Sequence, residues 1–238
     1  LMDIKVNDRV EHIRVVMAEL QRIASHLLCT GVFGLDLGAF TPFLWALRDR
    51  ERILDLFELT CGARLLYNYM WVGGLSHDIP NGFVESTYEF LDYFEPKVDE
   101  LENILAHNKI LVERSADIGV MPKEVAISYG VTGPNLRASG VNWDLRKNDP
   151  YSIYDRFEFD VPIGEGIKGT VGDCWDRFYV RILEIRESVK IIRQALASMP
   201  KDGDVHQSLP KKLRPPKGSI YSRTETPRGD LGYYIESD

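Results

Sequence analysis

Residues 10–27 read VEHIRVVMAELQRIASHL, and large apolar side chains recur there at steps of three and four residues. This spacing places the apolar side chains on one face of an α-helix. The stretch therefore predicts a long amphipathic helix that packs against other helices. The members of the apolar face are Val10, Ile13, Met17, Leu20, Ile23 and Leu27.

Downstream of this helix, a segment with three glycines, residues 31–41, predicts a loop. Thr41 and Pro42 then have the composition of a helix start, with Thr as the N-cap and Pro in the first turn. The second helix is predicted to run to about residue 70, where Gly73 and Gly74 end it.

Two further helices are indicated by their apolar spacing. One spans about residues 84–105 and contains Pro96, which predicts a kink. The other begins after Asp173 as its N-cap and stops at Pro200. Each has the near-heptad or three-to-four spacing of a helix that buries one face.

The rest of the chain divides into an irregular segment and a hairpin. Residues 119–172 are rich in Gly, Pro, Asn and Asp, with one short helix expected near residues 122–128. Residues 219–237 predict a β-hairpin with its turn at residues 227–230. The fold class is therefore mainly α: a bundle of long helices with an irregular insertion and a terminal β-hairpin.

We expect residues 1–238 to form a single domain, and both ends of the sequence suggest that it was cut from a longer protein. Its parts are a three-helix part (1–118), an irregular segment (119–172), a fourth helix (173–200), and a linker with the hairpin (201–238).

The charge and composition exclude several classes of protein. The net charge of −7 argues against nucleic acid as a partner, since phosphate binding requires an excess of Lys and Arg. No apolar run approaches the roughly 20 residues of a membrane-spanning helix. Cys29, Cys61 and Cys174 are too far apart for a zinc or iron–sulfur motif, so buried, reduced cysteines and no metal are expected.

No motif in the sequence predicts a bound nucleotide or a nucleophilic active site. The chain has no Walker A pattern and no GxSxG elbow, and its GxGxxG match, GEGIKG at residues 164–169, lies in the irregular segment and does not join a predicted strand to a helix. His26 lies near the apolar face of the first helix, which favours a packed histidine over a ligand. The neighbours His77 and Asp78 follow a glycine pair, and this placement favours a loop role over general-base chemistry.

One carboxylate stands in an apolar setting. Residues 34–45 read GLDLGAFTPFLW, so Asp36 has leucines and glycines around it. A charge in such surroundings needs a partner. From the residues alone, the partner is more simply a backbone N–H in a turn or cap. The alternative is that Asp36 orients a cationic or hydrogen-bonding group inside a dry cavity.

A second charged segment leaves two interpretations open. Residues 135–147 contain Arg137, Trp143, Asp144 and Arg146, together with one glycine, Gly140. The segment is either a surface loop held by local Arg–Asp pairs or a docking surface, because Arg and Trp are favoured anchors at interfaces.

Taken together, these motifs resemble one family, the D subunit (mitochondrial 49-kDa class) of NADH:quinone oxidoreductase, respiratory complex I. The similarity runs over nearly the whole chain, in the family's order. It also implies a fold like that of the [NiFe] hydrogenase large subunit. The stretches that carry it are RVVMAEL (14–20), LDLGAFTP (35–42), CGAR (61–64), GGLSHDIP (73–80), GPNLRASG (133–140), WDLRK (143–147), residues 151–162, GDCWDR (172–177) and ETPRG (225–229).

The resemblance implies a partner for Asp36. In the family, this carboxylate is bonded to a His that meets the quinone headgroup together with a Tyr, and both of these lie upstream of Leu1. Asp36 would orient that imidazole and stabilise its protonated form. Leu28 and Val32, two turns and one turn earlier, would form part of the cavity wall.

At a second position the chain departs from the pattern of the family that it resembles. Relatives often carry a His two residues after the GAR motif, facing the terminal iron–sulfur cluster of the B-type subunit. Here Leu66 takes that place, and Arg64 is the other cluster-facing residue. Leucine cannot bind a proton, so we expect a lower and nearly pH-independent cluster potential, suited to menaquinone. The same resemblance favours docking against that subunit for Arg137, Trp143, Asp144 and Arg146.

The resemblance implies a subunit of a proton-pumping translocase at the cytoplasmic face of the inner (plasma) membrane, held there peripherally. Its partners would be the B-type and C-type subunits, membrane-arm subunits and the substrate quinone. No cofactor is expected on this chain, because the cluster, FMN and NADH belong to other subunits. The isolated chain is expected to be inactive. The alternatives are a membrane-bound hydrogenase large subunit and a helical scaffold without a redox role.

Overall fold

The first helix, α1 (Asp8–Asp36), is longer than the sequence predicted. The computed structural model describes residues 1–210 and 212–238. The Asn7 side chain caps α1 by accepting a hydrogen bond from the Val10 N–H at 3.0 Å. The predicted loop at residues 31–41 is wrong, because Gly31 and Gly34 are helical. A Cβ on Gly34 would lie 2.9 Å from Leu105 Cδ2, so this glycine serves close packing rather than a turn.

The second helix, α2 (Phe40–Cys61), is shorter than predicted at its C-terminus. Its N-cap is Ala39 without a side-chain cap, so Thr41 is not the cap. Gly62 adopts a left-handed conformation (φ 72°) and ends the helix, since glycine takes this conformation at low cost. The predicted terminators Gly73 and Gly74 belong instead to a small hairpin of β1 (Met70–Trp71) and β2 (Gly74–Leu75).

The positions of the two remaining long helices confirm the sequence prediction, and the kink at Pro96 stays a prediction. The third, α3 (Phe83–Leu105), contains Pro96, and the last, α8 (Cys174–Ser198), is capped by Asp173, whose carboxylate accepts from the Asp176 N–H at 2.8 Å. Helix α1 packs against α2 and α8, and α3 completes the bundle against the same two helices. The apolar faces of these four helices form the core.

The segment between α3 and α8 holds more helix than the sequence predicted. The short helix near residue 122 is confirmed, while the other four short elements were not predicted. In chain order the elements are α4 (Lys109–Ser115), α5 (Lys123–Ser128), α6 (Gly133–Ala138), α7 (Leu145–Asn148) and a 3₁₀ turn (Tyr154–Arg156).

The terminal hairpin consists of β3 (Gly218–Thr226) and β4 (Gly229–Ser237), paired antiparallel from Thr226 with Gly229 outward. Its turn end is anchored to the body, because the Asp230 N–H bonds Thr132 Oγ1 at 3.1 Å. The mainly helical architecture with a terminal hairpin is thus confirmed. The likeness to a hydrogenase large subunit stays a prediction.

Candidate functional site

The C-terminal end of α1 carries an exposed carboxylate. Asp36 is the last residue of α1, and no described residue donates a hydrogen bond to its side chain. The interpretation of Asp36 as a local cap or turn acceptor is therefore wrong. The chain reverses directly after it, with the Ala39 N–H donating to the Gly34 carbonyl at 2.8 Å.

Apolar side chains surround this end of the molecule. Leu28 and Val32 are each 37% exposed and precede Asp36 by two turns and one turn, so the three share one row of the helix. Phe40 and Leu44, at the start of α2, are exposed as well. The two helices that flank the Asp36 turn thus leave apolar surface uncovered.

The GAR motif lies at the opposite end of α2, where Arg64 and Leu66 differ in their surroundings. Arg64 contacts a row of three carboxylates on α2, which raises its pKa through the hydrogen bonds that they accept. Leu66 is fully exposed (102%) and has φ 59°, a conformation that costs energy for a branched side chain. The row is formed by Glu51, Asp55 and Glu58.

The predicted docking surface is largely internal. Arg137, Asp144 and Arg146 are buried, so as exposed anchors they were wrongly predicted, and Trp143 alone of the four is partly exposed. Their charges have internal partners, because Arg146 holds Asp144 at 2.7 Å. The residue types indicated an interface, but the interface is one between elements of this chain.

Arg137 connects three elements through buried carboxylates. Its Nε donates to Glu184 on α8 at 2.7 Å, and one of its terminal nitrogens donates to Glu225 on β3 at 2.9 Å. The same nitrogen lies 3.4 Å from Asp144. Burial raises the pKa of Glu225, and Arg137 opposes this shift only in part.

The buried charges around Arg137 belong to a larger network of ion pairs and hydrogen bonds. A second group of this network is centred on Glu19 of α1. Glu19 pairs with Arg22 at 3.2 Å and with Arg146 at 3.1 Å, and Tyr154 and Ser188 donate hydroxyl hydrogen bonds to it. Burial alone would raise the pKa of Glu19, but the two guanidiniums lower it below its ordinary value.

His26 completes the network. Its Nε2 lies 2.7 Å from Glu184 Oε2, and both side chains are buried, as expected of a packed histidine. Sequence reasoning missed the network as a whole. The available signal was Glu19, Arg22 and His26, which follow one another at helical spacing within a segment whose neighbours are core residues.

The cysteines differ from expectation in their burial. Cys29 is exposed, and Cys61 and Cys174 are half-buried. Within residues 1–210 and 212–238, no three His, Cys, Asp or Glu side chains converge as metal ligands. Among the helices described, none combines the length and the apolar character that a membrane crossing requires.

Comparison of the amino-acid sequence with known proteins establishes the family of this chain. The chain belongs to the family of the 49 kDa subunit of respiratory-chain NADH dehydrogenase, whose model matches residues 36–214. Two relatives are individually similar, and each is the D subunit of an NADH-quinone oxidoreductase. The one from Chlorobaculum tepidum is 55% identical over all of this chain, and the one from Pelodictyon phaeoclathratiforme is 53% identical over all of it. The chain spans about 60% of the length of each relative.

Proposed function

We propose that this chain is part of an NADH–quinone oxidoreductase, a proton-pumping translocase, and that the end of α1 forms one wall of its quinone cavity. Asp36 orients a hydrogen-bonding group, an imidazole in the family's pattern, that other parts of the full protein supply. The similarity to the D subunits of NADH-quinone oxidoreductases supports the class of complex. The exposed Asp36 carboxylate, which has no partner among the described residues, carries the assignment of the site.

The chemistry of the wall follows from its composition. A carboxylate next to uncovered apolar side chains becomes partly desolvated once the cavity closes, which strengthens its attraction for a protonated imidazole. Asp36 is a positioning residue in this scheme, since it acts on quinone through another group. Leu28 and Val32 supply apolar contact for the quinone ring or the start of its tail.

The same proposal places the segment that contains Arg64 and Leu66 in contact with the subunit that carries the terminal iron–sulfur cluster. The exposed and strained Leu66 supports it, because an exposed branched residue at positive φ is costly without a contact to stabilise it. The cluster, FMN and NADH belong to partner subunits, among them a B-type and a C-type subunit, with membrane-arm subunits adjoining. The chain is peripheral at the cytoplasmic membrane face and inactive alone.

The test is the Asp36→Asn variant in the assembled complex. We expect NADH:quinone activity to fall at least tenfold, since the amide cannot stabilise a cation, and its pH profile to shift. Electron transfer from NADH to a water-soluble artificial acceptor should be unchanged, because that route bypasses quinone. Asp202→Asn, at another exposed position, is the matched control.

The Leu28→Ala variant distinguishes the contribution of apolar contact with quinone from that of the Asp36 charge. Loss of apolar contact should raise the KM for a short-chain quinone with a smaller change in kcat. Unchanged quinone kinetics in both the Asp36 and the Leu28 variants, in a fully assembled complex, would contradict the proposed site.

A further inference from the structure

Two arginines on α8 differ from their neighbours on the same helix. Arg186 and Arg193 each bridge two carboxylates of α3. Arg177 and Arg181 have no carboxylate oxygen within 4.0 Å among the described residues, although the chain carries a net charge of −7. Two neighbouring positive charges are therefore left without counter-charge in the described part of the chain. The carboxylates of the first pair are Asp92, Glu95, Asp99 and Glu102.

Both arginines line a pocket of about 230 Å³ between α1, α6 and α8. Phe33 of α1 stacks on Phe178 of α8 within its lining, with ring centroids 5.1 Å apart. The described residues that line the pocket include no acidic side chain, and its polar members include the amide of Asn135. A concave site with donors and without carboxylates is suited to an anion.

Neutral groups hold the two guanidiniums in place. Arg177 donates to the Gly119 carbonyl at 2.9 Å and contacts Cys174 Sγ at 3.0 Å. Arg181 donates to Asn135 Oδ1 at 2.8 Å and to the carbonyl of Arg177. These bonds fix the side chains but do not compensate either positive charge. Because the Asn135 oxygen accepts from Arg181, its NH₂ group remains as a further donor.

The acidic residues nearest along α8 are engaged elsewhere. Asp173 accepts from the backbone N–H groups of Asp117 and Asp176, and the carboxylate of Asp176 accepts from backbone N–H groups of the glycine-rich segment before the helix. Glu184, one turn beyond Arg181, is paired with Arg137 and His26. None of these carboxylates serves as the counter-charge of the pocket.

We propose that this pocket binds a phosphate group, with Arg177 and Arg181 contacting its oxygens and the Asn135 amide donating a third hydrogen bond. A phosphate monoester carries a charge of about −1.5 to −2 at pH 7, which matches two guanidiniums, and Arg binds its oxygens with charge-assisted hydrogen bonds. The group could belong to a small phosphorylated molecule or to a lipid headgroup. The site is independent of the quinone proposal, since it uses none of the residues assigned there.

The cysteines provide the measurement. Cys29 and Cys174 line the pocket, whereas Cys61 lies outside it and serves as an internal control. Alkylation of each thiol of the 238-residue chain by N-ethylmaleimide is followed by mass spectrometry, with inorganic phosphate or with chloride at equal ionic strength. We expect phosphate to slow alkylation of Cys29 and Cys174 at least threefold and to leave Cys61 unchanged.

Variants on the same helix distinguish binding from a general effect. Arg181→Gln should abolish the protection, Arg181→Lys should keep part of it, and Arg193→Gln, whose arginine lies outside the pocket, should keep all of it. Circular dichroism checks that each variant is folded. If Arg181→Gln does not fold, line broadening of the ³¹P resonance of phosphate by the unmodified chain decides the question.

A second arm identifies the source of the phosphate. Vesicles of phosphatidylcholine containing phosphatidic acid replace inorganic phosphate, and vesicles of phosphatidylcholine alone are the control. Protection by inorganic phosphate alone supports a small phosphorylated ligand, and stronger protection by phosphatidic acid supports a lipid headgroup. Absence of protection and of ³¹P broadening, equal slowing of Cys61, or full protection in Arg181→Gln would overturn the proposal.

Discussion

His26 and Glu184 are joined by a 2.7 Å hydrogen bond between Nε2 and Oε2, buried where α1 packs against α8. Glu184 also accepts from Arg137, so one carboxylate connects two long helices to the irregular segment. Burial alone would raise the pKa of Glu184, but Arg137 and the His26 hydrogen bond hold it well below its ordinary value. The pair therefore lies at the junction of three parts of the fold.

Removing the charge of Glu184 should be strongly destabilising. In Glu184→Gln the Arg137 guanidinium loses its closest carboxylate. Removing one partner of a buried ion pair typically lowers the free energy of unfolding by about 3–5 kcal/mol. We expect a loss of this size in the free energy of unfolding, measured by urea denaturation. Glu89→Gln, at an exposed position of α3, is the control and should change stability by less than about 0.5 kcal/mol. A loss below about 1 kcal/mol for Glu184→Gln would contradict the role of the network.

The network also predicts a loss of stability in acid. The pKa values of Glu19 and Glu184 are lowered by folding, so the stability that they contribute is present above pH ~4.5 and falls as the pH drops below it. Burial lowers the pKa of His26, outweighing Glu184. The unfolded chain thus binds a proton at His26 first, and stability begins to fall below pH ~6.5.

Urea denaturation at several pH values tests whether the free energy of unfolding decreases as the pH falls. His26→Gln should flatten the dependence between pH ~6.5 and ~5, where one proton contributes at most about 1.4 kcal/mol per pH unit. Ser208→Ala, at an exposed position without a group that titrates in this range, should leave the slope unchanged. An equal slope in the original chain and in the His26 variant would show that His26 does not titrate with folding.

Two glycines allow a test of how the hairpin is held. A Cβ on Gly133 would lie 2.4 Å from Gly229 Cα, whereas a Cβ on Gly130 would meet nothing within 4 Å, and both residues have φ near +65° (64° and 67°). Gly130→Ala should therefore cost about 1–2 kcal/mol from backbone strain alone. Gly133→Ala should cost a further ~1–3 kcal/mol, because the hairpin turn has to move. Thermal unfolding measures both, and equal losses would mean that the close approach is not important for stability.

The sequence predicted the long helices and the terminal hairpin because these depend on local periodicity and capping. Asp173 and the apolar spacing after it are sufficient to place α8. The errors have long-range causes. Gly31 and Gly34 look like loop residues, but their missing Cβ atoms allow α1 to approach Ala46 and Leu105. No local pattern contains those partners.

The candidate site was predictable only in part, for the same reason. Asp36 was identified from its apolar neighbours, and the structure shows that no described residue pairs with it. Arg137 and Arg146 were recognised as unusual but assigned to a surface, because their partners, Glu184 and Glu19, are 47 and 127 residues away. The local sequence of a charged residue in a glycine-bearing loop does not show whether it is exposed to solvent, bound by a partner protein or buried against a distant helix.

Leu66 allows a test of the contact with the cluster-bearing subunit, which rests on the proposed function. If Leu66 faces the terminal cluster of the partner subunit, no proton can bind at this position, and the cluster potential should change little with pH. Redox titration of the assembled complex at pH ~6 and pH ~8, followed by electron paramagnetic resonance, should give a slope far below the one-proton, one-electron value of about 60 mV per pH unit. Leu66→His should bring the slope towards that value, because reduction of the cluster would then favour protonation of the imidazole. The neighbouring Leu65→His is the matched control, also at an exposed position, and should leave the slope small. A slope near ~60 mV in the unmodified complex would show that the proton binds at another residue and that Leu66 does not set the potential.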